Sequence, residues 1–477
     1  MGILKPVSRK AKKIARIVTL IVAMLIEASS GTLYAFSVLS DPLANQLGYT
    51  QTELAVIVGI GDNGLYISQL FVGLLNDKFG PTPTSLLAAV CVFIGYGCMA
   101  LTYNFILPNS HFILFAFYFC LAGIGSSAMH MAAMSTNVKN FHSANRGKIV
   151  GILMSLFGLS ALIFSTINSI FFVHGGESDT FSFLLFMAIA LTFVSVLGAL
   201  FLTQVGVDQD EAPKAIITNE SRTSEFNDSK KIDDGVDRDD DGEDQSLLRH
   251  EHKPSEYSQP QTQVTVTVDV YGWKLFKSRD FWMLFYIAMV IAGAGLMYIN
   301  YVGKVVSSLS DNPEEVVQQQ ALQVSLISAL SCVGRLSSGF LSDFLLHRFG
   351  IRRRVLIPMS TTLMLIGVLL VSFIDNLETL WVCTIFIGFA YGSLFSITPT
   401  VMSERFGVGH FGINWFLSFF IIVMIIIICF SFLVFCFFPL FFFSFFFFFS
   451  FFSASFFFLM EIKLLFFFFL IFFWGWI

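Results

Sequence analysis

GLLNDKFG, residues Gly73 to Gly80, closes one long apolar run, and GFLSDFLLHRFG, residues Gly339 to Gly350, closes another. Their first glycines stand 266 positions apart, and each is followed four residues later by an aspartate, Asp77 or Asp343. Working outward, GIGSS at Gly123 and GFAYGS at Gly388 are 265 apart, as are AML at Ala23 and AMV at Ala288. One such match is noise; three at a single offset argue for a duplicated unit. Two repeated halves around a central site are the plan of many secondary transporters.

A membrane-spanning helix needs about 20 mostly apolar residues at 1.5 Å of rise each. Such stretches are predicted near 17–39, 54–75, 84–104, 111–134, 148–172 and 181–204, and again near 281–303, 320–342, 355–374, 379–402 and 412–438. In lipid every backbone polar group must be satisfied within its own segment, so these stretches are read as helices. The expected fold is an all-α integral membrane protein of two pseudo-repeated six-helix bundles. The basic start and the apolar run after it mimic a secretory signal, but the run is too long for one and carries Glu27 at its middle. It reads as a first span.

Composition agrees. Only 13% of the 477 residues are charged, where a soluble domain has about a quarter. Of the 33 acidic residues, 17 fall between Gly206 and Val270, so the rest of the chain is still more apolar. Nothing supports nucleic-acid binding. The seven cysteines lie within apolar runs and form neither a metal-ligand spacing nor a disulfide framework. No cofactor, metal or catalytic nucleophile–base set is expected, and the chain is not read as an enzyme.

Lys and Arg concentrate on cytoplasmic loops. They mark the N-terminus, Lys78, then Lys139, Arg146 and Lys148, then Lys274, Lys277 and Arg279, then Arg348 and Arg352 to Arg354, then Arg405; only Lys304 breaks the alternation. The resulting layout is a cytoplasmic N-terminus (1–16), an N-terminal six-helix bundle (17–205), an acidic disordered cytoplasmic linker (206–270) and a C-terminal bundle (271–416). The linker holds two sequons, Asn219-Glu-Ser221 and Asn227-Asp-Ser229, whose glycosylation would invert this topology. It also holds Glu243-Asp-Gln-Ser-Leu247-Leu248, which resembles an acidic dileucine signal for sorting adaptors and points to a vacuole or another endomembrane.

Gly73-x-x-x-Asp77-Lys78-x-Gly80 and Gly339-x-x-x-Asp343 resemble the signature loops of the major facilitator superfamily, which follow its second and eighth helices. Glycine permits close helix approach, and an aspartate beside a base forms a latch that biases one gate state. Pro81-Thr82-Pro83 replaces further basic residues in the first copy, and Phe344-Leu345-Leu346 separates Asp343 from the basic cluster in the second. More narrowly the chain is similar to the nodulin-like and monocarboxylate-transporter-homologue branch, including its fungal vacuolar members. That likeness is carried by Glu27–Leu54, by VGRLSSGFLSD at Val333–Asp343, and by Tyr391–Trp415. It implies a carrier of a small organic solute, a monocarboxylate by family, coupled to protons or facilitative.

A charge inside the membrane is costly, at about 2.5–3.5 kcal/mol on insertion scales, so each one needs a reason. Glu27 and Asp62 are candidate proton acceptors; the alternative is a polar contact between the first two helices. The resemblance implies that Arg335 pairs a substrate carboxylate, although the aspartate expected one turn earlier is Ser331 here. The alternative is a structural tie from Arg335 to Asp343 or to helix-end carbonyls. Tyr34, His130, Asn137, Tyr298, Asn300 and Tyr391 are further polar candidates for the pathway, with His130 either a proton shuttle or a packing group.

From Phe430 to Ile477 there are 24 phenylalanines in 48 residues, with no small-residue packing stripe. Residues 417–477 are therefore read as a phenylalanine-rich hydrophobic tail, either a gene-model artefact or an odd lipid-facing helix. The functional alternatives to a carrier are a transporter-derived sensor or interaction protein working through the linker, and an inactive truncated carrier.

Overall fold

A computed structural model describes residues 9–107, 111–174, 177–205, 269–309, 313–374, 376–415 and 417. The predicted linker, with its sequons and dileucine-like motif, and the phenylalanine-rich tail lie outside these residues. Ten helices among the described residues are long and apolar enough to cross a membrane.

The first half comprises α1 (Arg9–Ser30), a 3-10 turn (Thr32–Ala35), α2 (Ser37–Leu47), α3 (Gln51–Phe79), α4 (Pro81–Tyr103), α5 (Phe112–Asn140), α6 (Ser143–Phe171) and α7 (Thr180–Phe201). A two-residue ladder, β1 (Val173–His174) with β2 (Glu177–Ser178), turns the chain between α6 and α7. The second half comprises α8 (Trp273–Phe276), α9 (Arg279–Leu309), α10 (Pro313–Phe349), α11 (Leu356–Val371) and α12 (Leu380–Arg405). Another helix begins at 411–415.

The repeat predicted from the sequence reappears as packing. α3 lies against α5, and its counterpart α10 lies against α12. α3 and α10 both end on a glycine with positive φ, Gly80 at 86° and Gly350 at 65°. That backbone region is open to glycine at little cost, which fixes the Phe-Gly endings of the two motifs.

The first span is not one helix from 17 to 39. α1 starts at Arg9 and stops at Ser30, because Gly31 turns the chain sideways against α6. A Cβ at Gly31 would lie 2.5 Å from the Phe157 carbonyl oxygen. The freed backbone groups find side chains: Gly31 N–H donates to Ser160 Oγ (3.1 Å), and the Ser30 carbonyl accepts from Ser126 Oγ. Broken helices survive at membrane depth only when such partners are supplied.

The halves meet where α6 packs on α10 and α12. Gly147 and Gly151 of α6 face Gly339 of α10, and a Cβ on Gly339 would sit 2.5 Å from the Gly147 carbonyl oxygen. Small residues here let backbones touch, the general solution for helix contacts in lipid.

Candidate functional site

Polar contacts between the halves gather at the end of the bundle that carries the basic residues. Asp343 on α10 accepts the backbone N–H groups of Gly147 (3.1 Å) and Lys148 (2.9 Å) in the second turn of α6. It also pairs with Arg353 at 2.6 Å, both side chains being almost wholly buried. Arg353 pairs in turn with Glu404, and Ser143 donates to Glu404 at 2.6 Å. Arg146 donates to Ser403 (3.1 Å), and His347 lies 3.0 Å from the Ala144 carbonyl.

The first signature loop is built differently from the expected Asp77–Lys78 latch. Asp77 pairs with Lys139 of α5 at 2.9 Å and accepts the backbone N–H of Ile413 at 3.1 Å. Lys78 points outward over the Phe79 ring. Successive residues on a helix face different ways, so Asp77 and Lys78 cannot both face the interface. Gly73 admits Gly412 against the helix, a Cβ there lying 2.8 Å from the Gly412 carbonyl oxygen. Arg335 is not tied to Asp343; Arg353 holds that place, brought back by the turn at Gly350.

Nearer the middle, the sequence-derived candidates sort into two clusters. In the first, Glu27 is fully buried and its Oε2 lies 2.9 Å from His130 Nδ1 on α5 and 3.3 Å from Ser30 Oγ. The contact expected between the first two helices is therefore replaced by one to α5. Glu27 Oε1 has no hydrogen-bond partner among the described residues.

The second cluster surrounds Arg335. Its Nη1 donates to the Met154 carbonyl of α6 at 3.0 Å, and its guanidinium lies 5.4 Å from the Phe395 ring centre. Tyr34, Tyr66 and Tyr391 are its electrostatic neighbours. Nε is buried without a partner, and among the described residues no carboxylate pairs with this arginine. Gly158 leaves the space that the guanidinium occupies, and Gly295 leaves that of the Tyr391 ring. Tyr34 and Tyr66 join hydroxyls at 2.7 Å yet remain 46% and 36% exposed, so they line open space rather than a packed core. Asp62 is half-buried one turn from Tyr66, within electrostatic range of both tyrosines.

α6 joins the clusters. The Phe157 ring stands 4.9 Å from His130 and 6.0 Å from Tyr34, centre to centre. Other candidates fall elsewhere. Tyr298 bonds Thr384 (2.8 Å), itself bonded to Gln323 (2.5 Å), inside the second half. Asn137 donates to its own helix at Ala133 (2.8 Å). Asn300 lies on α9, and its side chain is outside the described residues. A cleft of about 790 Å³ between Gln318, Leu322, Ser325 and Trp381 is almost entirely apolar and holds none of these groups. Among the described residues no three His, Cys, Asp or Glu side chains converge as a metal site.

Sequence reading missed Tyr66, Lys139, Phe157, Gly158, Arg353 and Glu404. Tyr66 stood four residues after Asp62, on the same helix face, which is a usable signal. Arg353 was visible only as one of three consecutive arginines.

The Major Facilitator Superfamily profile matches residues 19–426. The chain belongs to the major facilitator superfamily. This superfamily member is a multi-pass membrane transporter of small solutes. It is 24% identical to the probable transporter mch1 of Emericella nidulans over 472 residues, covering 85% of this chain and 76% of the relative. It is 25% identical to the probable transporter mch1 of Aspergillus fumigatus, with the same coverages. Among solved structures, the proton:xylose symporter XylE, bound to 6-bromo-6-deoxy-D-glucose, matches with a TM-score of 0.56 and 13% identity. The match covers 98% of this chain and 96% of that one, and it shows the major facilitator fold.

Proposed function

We propose that this transporter carries a small organic monocarboxylate by alternating access, with Arg335 as the anion-binding group. The observation that carries the reading is the buried guanidinium with an unfilled Nε donor and no carboxylate partner among the described residues. A buried charge without a partner is costly, and a planar guanidinium pairs a carboxylate through two parallel hydrogen bonds. Phe395, Tyr391, Tyr34 and Phe157 supply apolar walls and hydroxyls suited to a short organic acid. The resemblance to the monocarboxylate-transporter-homologue branch supports the same class.

The cross-half contacts around Asp343 and Asp77 hold the basic end together, and the Tyr34–Tyr66 pair lies beside the anion site. Under the charge alternation read from the sequence, the closed end is cytoplasmic and the N-terminus lies on that side, in a vacuolar or other endomembrane. The 206–270 segment then stands in the cytoplasm, where sorting adaptors reach Glu243, Leu247 and Leu248.

Reconstituted vesicles offered labelled monocarboxylates, sugars and amino acids test this. Saturable uptake of a monocarboxylate, abolished by Arg335→Ala in protein that remains monodisperse, is expected. Uptake of sugar alone, or unchanged transport in the variant, refutes it. Transport by the purified protein also separates a carrier from a sensor.

A further inference from the structure

We propose that Asp269 and Tyr271 are positioning residues of the cross-half contact at Asp77, clasping the 406–414 loop so that it presents the Ile413 N–H to that carboxylate. The inference rests on the alternating-access reading and adds the residues through which the 206–268 segment acts on one contact between the halves.

The run FGVGHFGINW, from Phe406 to Trp415, holds three glycines that meet two different partners. Gly412 lies against α3. A Cβ there would sit 3.0 Å from both the Gly73 Cα and Asp77 Oδ2, and the next residue, Ile413, donates its N–H to Asp77 at 3.1 Å. Gly407 and Gly409 meet Asp269 instead, and a Cβ on either would collide with its carboxylate. Gly407 has a φ of 87°, which glycine adopts at little cost. Gly409 donates its N–H to Asp269 Oδ1 at 3.2 Å. Val270 donates its N–H to the Phe406 carbonyl (3.0 Å), and its own carbonyl accepts from Asn414 Nδ2 (2.9 Å). The Tyr271 ring stacks on His410, centres 3.7 Å apart and planes 15° from parallel.

Three consecutive residues thus grip the loop through a carboxylate, a backbone and a ring. α9 fixes only the start of the loop, where Arg405 pairs with Asp280 and the Phe406 ring meets Phe281. The middle rests on 269–271. Aim matters here, because a hydrogen bond weakens steeply once its angle falls below about 120°. A loop that tilts loses the Ile413–Asp77 bond without leaving its place.

The other end of the 206–268 segment is fixed beside the other partner of Asp77. Asn140, 1% exposed and next in sequence to Lys139, donates to the Thr203 carbonyl (2.8 Å) and accepts the Val205 N–H (2.8 Å). The chain therefore leaves the first half beside Lys139 and enters the second on the loop of Ile413, and Asp77 bonds both. A cytoplasmic factor that grips the segment pulls on these two attachments, and through them on Asp77.

The test uses the full-length protein in lipid nanodiscs. Asn76, 0% exposed and next to Asp77, is replaced by a reporter cysteine, and its labelling by a small charged thiol reagent is counted above that of the chain without it. Asp269→Ala and Tyr271→Ala should each speed labelling about threefold to tenfold, the size of one or two hydrogen bonds. Tyr271→Phe keeps the stacked ring and should restore the parent rate. In an Asp77→Asn background the two alanine variants should add less than twofold, because the contact they position is already lost. Parent rates in both alanine variants overturn the proposal, as does an equal acceleration with and without Asp77. If Asp269→Ala does not fold, Tyr271→Ala against Tyr271→Phe decides alone. Labelling needs no substrate, so the two readings fail separately. Flat labelling beside intact uptake overturns the clasp, whereas the expected labelling in a protein that moves no solute supports the clasp and overturns the carrier reading.

Discussion

The carboxylate of Asp343 lies 3.1 Å from the backbone N–H of Gly147, placing a charge from the second half one turn inside the N-terminal end of a helix from the first. The N-terminal end of a helix carries a partial positive charge that favours an anion near it. The same carboxylate holds buried Arg353, so one residue closes the halves and neutralises a guanidinium.

Asp343→Asn should release that closure. Removing one partner of a buried pair costs about 3–5 kcal/mol, because it strands the other charge. A fall in thermal midpoint in detergent is expected. Faster labelling of a cysteine placed at Ser403 by an impermeant thiol reagent would report opening of the basic end.

Gly158→Ala should behave as a mild anion-site mutant although position 158 carries no polar group. Its Cβ would collide with the guanidinium of Arg335 and push it from the Met154 carbonyl. KM for the carboxylate should rise about tenfold, equivalent to about 1.4 kcal/mol. Uptake kinetics at saturating and limiting substrate measure the change, and expression should remain near the wild type.

Lys139 and Lys78 should separate cleanly. Lys139→Gln removes the partner of Asp77, a pair only 13% and 6% exposed, and should lower thermal stability and slow transport. Lys78→Gln changes an exposed residue and should stay within about 0.5 kcal/mol of the wild type. Chemical or thermal melts of the two variants, run side by side, decide which lysine belongs to the latch.

The sequons at Asn219 and Asn227 give a direct reading of orientation. A cytoplasmic 206–270 segment leaves both unglycosylated in a eukaryotic host, so endoglycosidase treatment should not shift the band. A shift would invert the proposed topology.

The fold was legible before any coordinates. Hydropathy period, segment length and the 265–266 offset are local or one-dimensional properties, and lipid leaves helices as the solution for apolar runs of about 20 residues. The residue types at the centre were legible too, because an ion in lipid is conspicuous: Glu27, Asp62 and Arg335 stood out for their cost alone. Their pairings were not. Glu27 meets His130 across 103 positions, and Asp77 meets Lys139 across 62 rather than the lysine beside it.

The sequence by itself determined that this chain crosses a membrane many times, in two related halves, with a few buried charges near the middle. Only the tertiary structure decided which charges meet and which stay unpaired. It broke the first span at Gly31, gave Asp343 to Arg353, and left Arg335 with a carbonyl and a ring. The reason is geometric. Hydrophobicity sets each helix independently, whereas helix rotation and crossing are set by small residues such as Gly147, Gly158 and Gly339, whose fit depends on the partner helix.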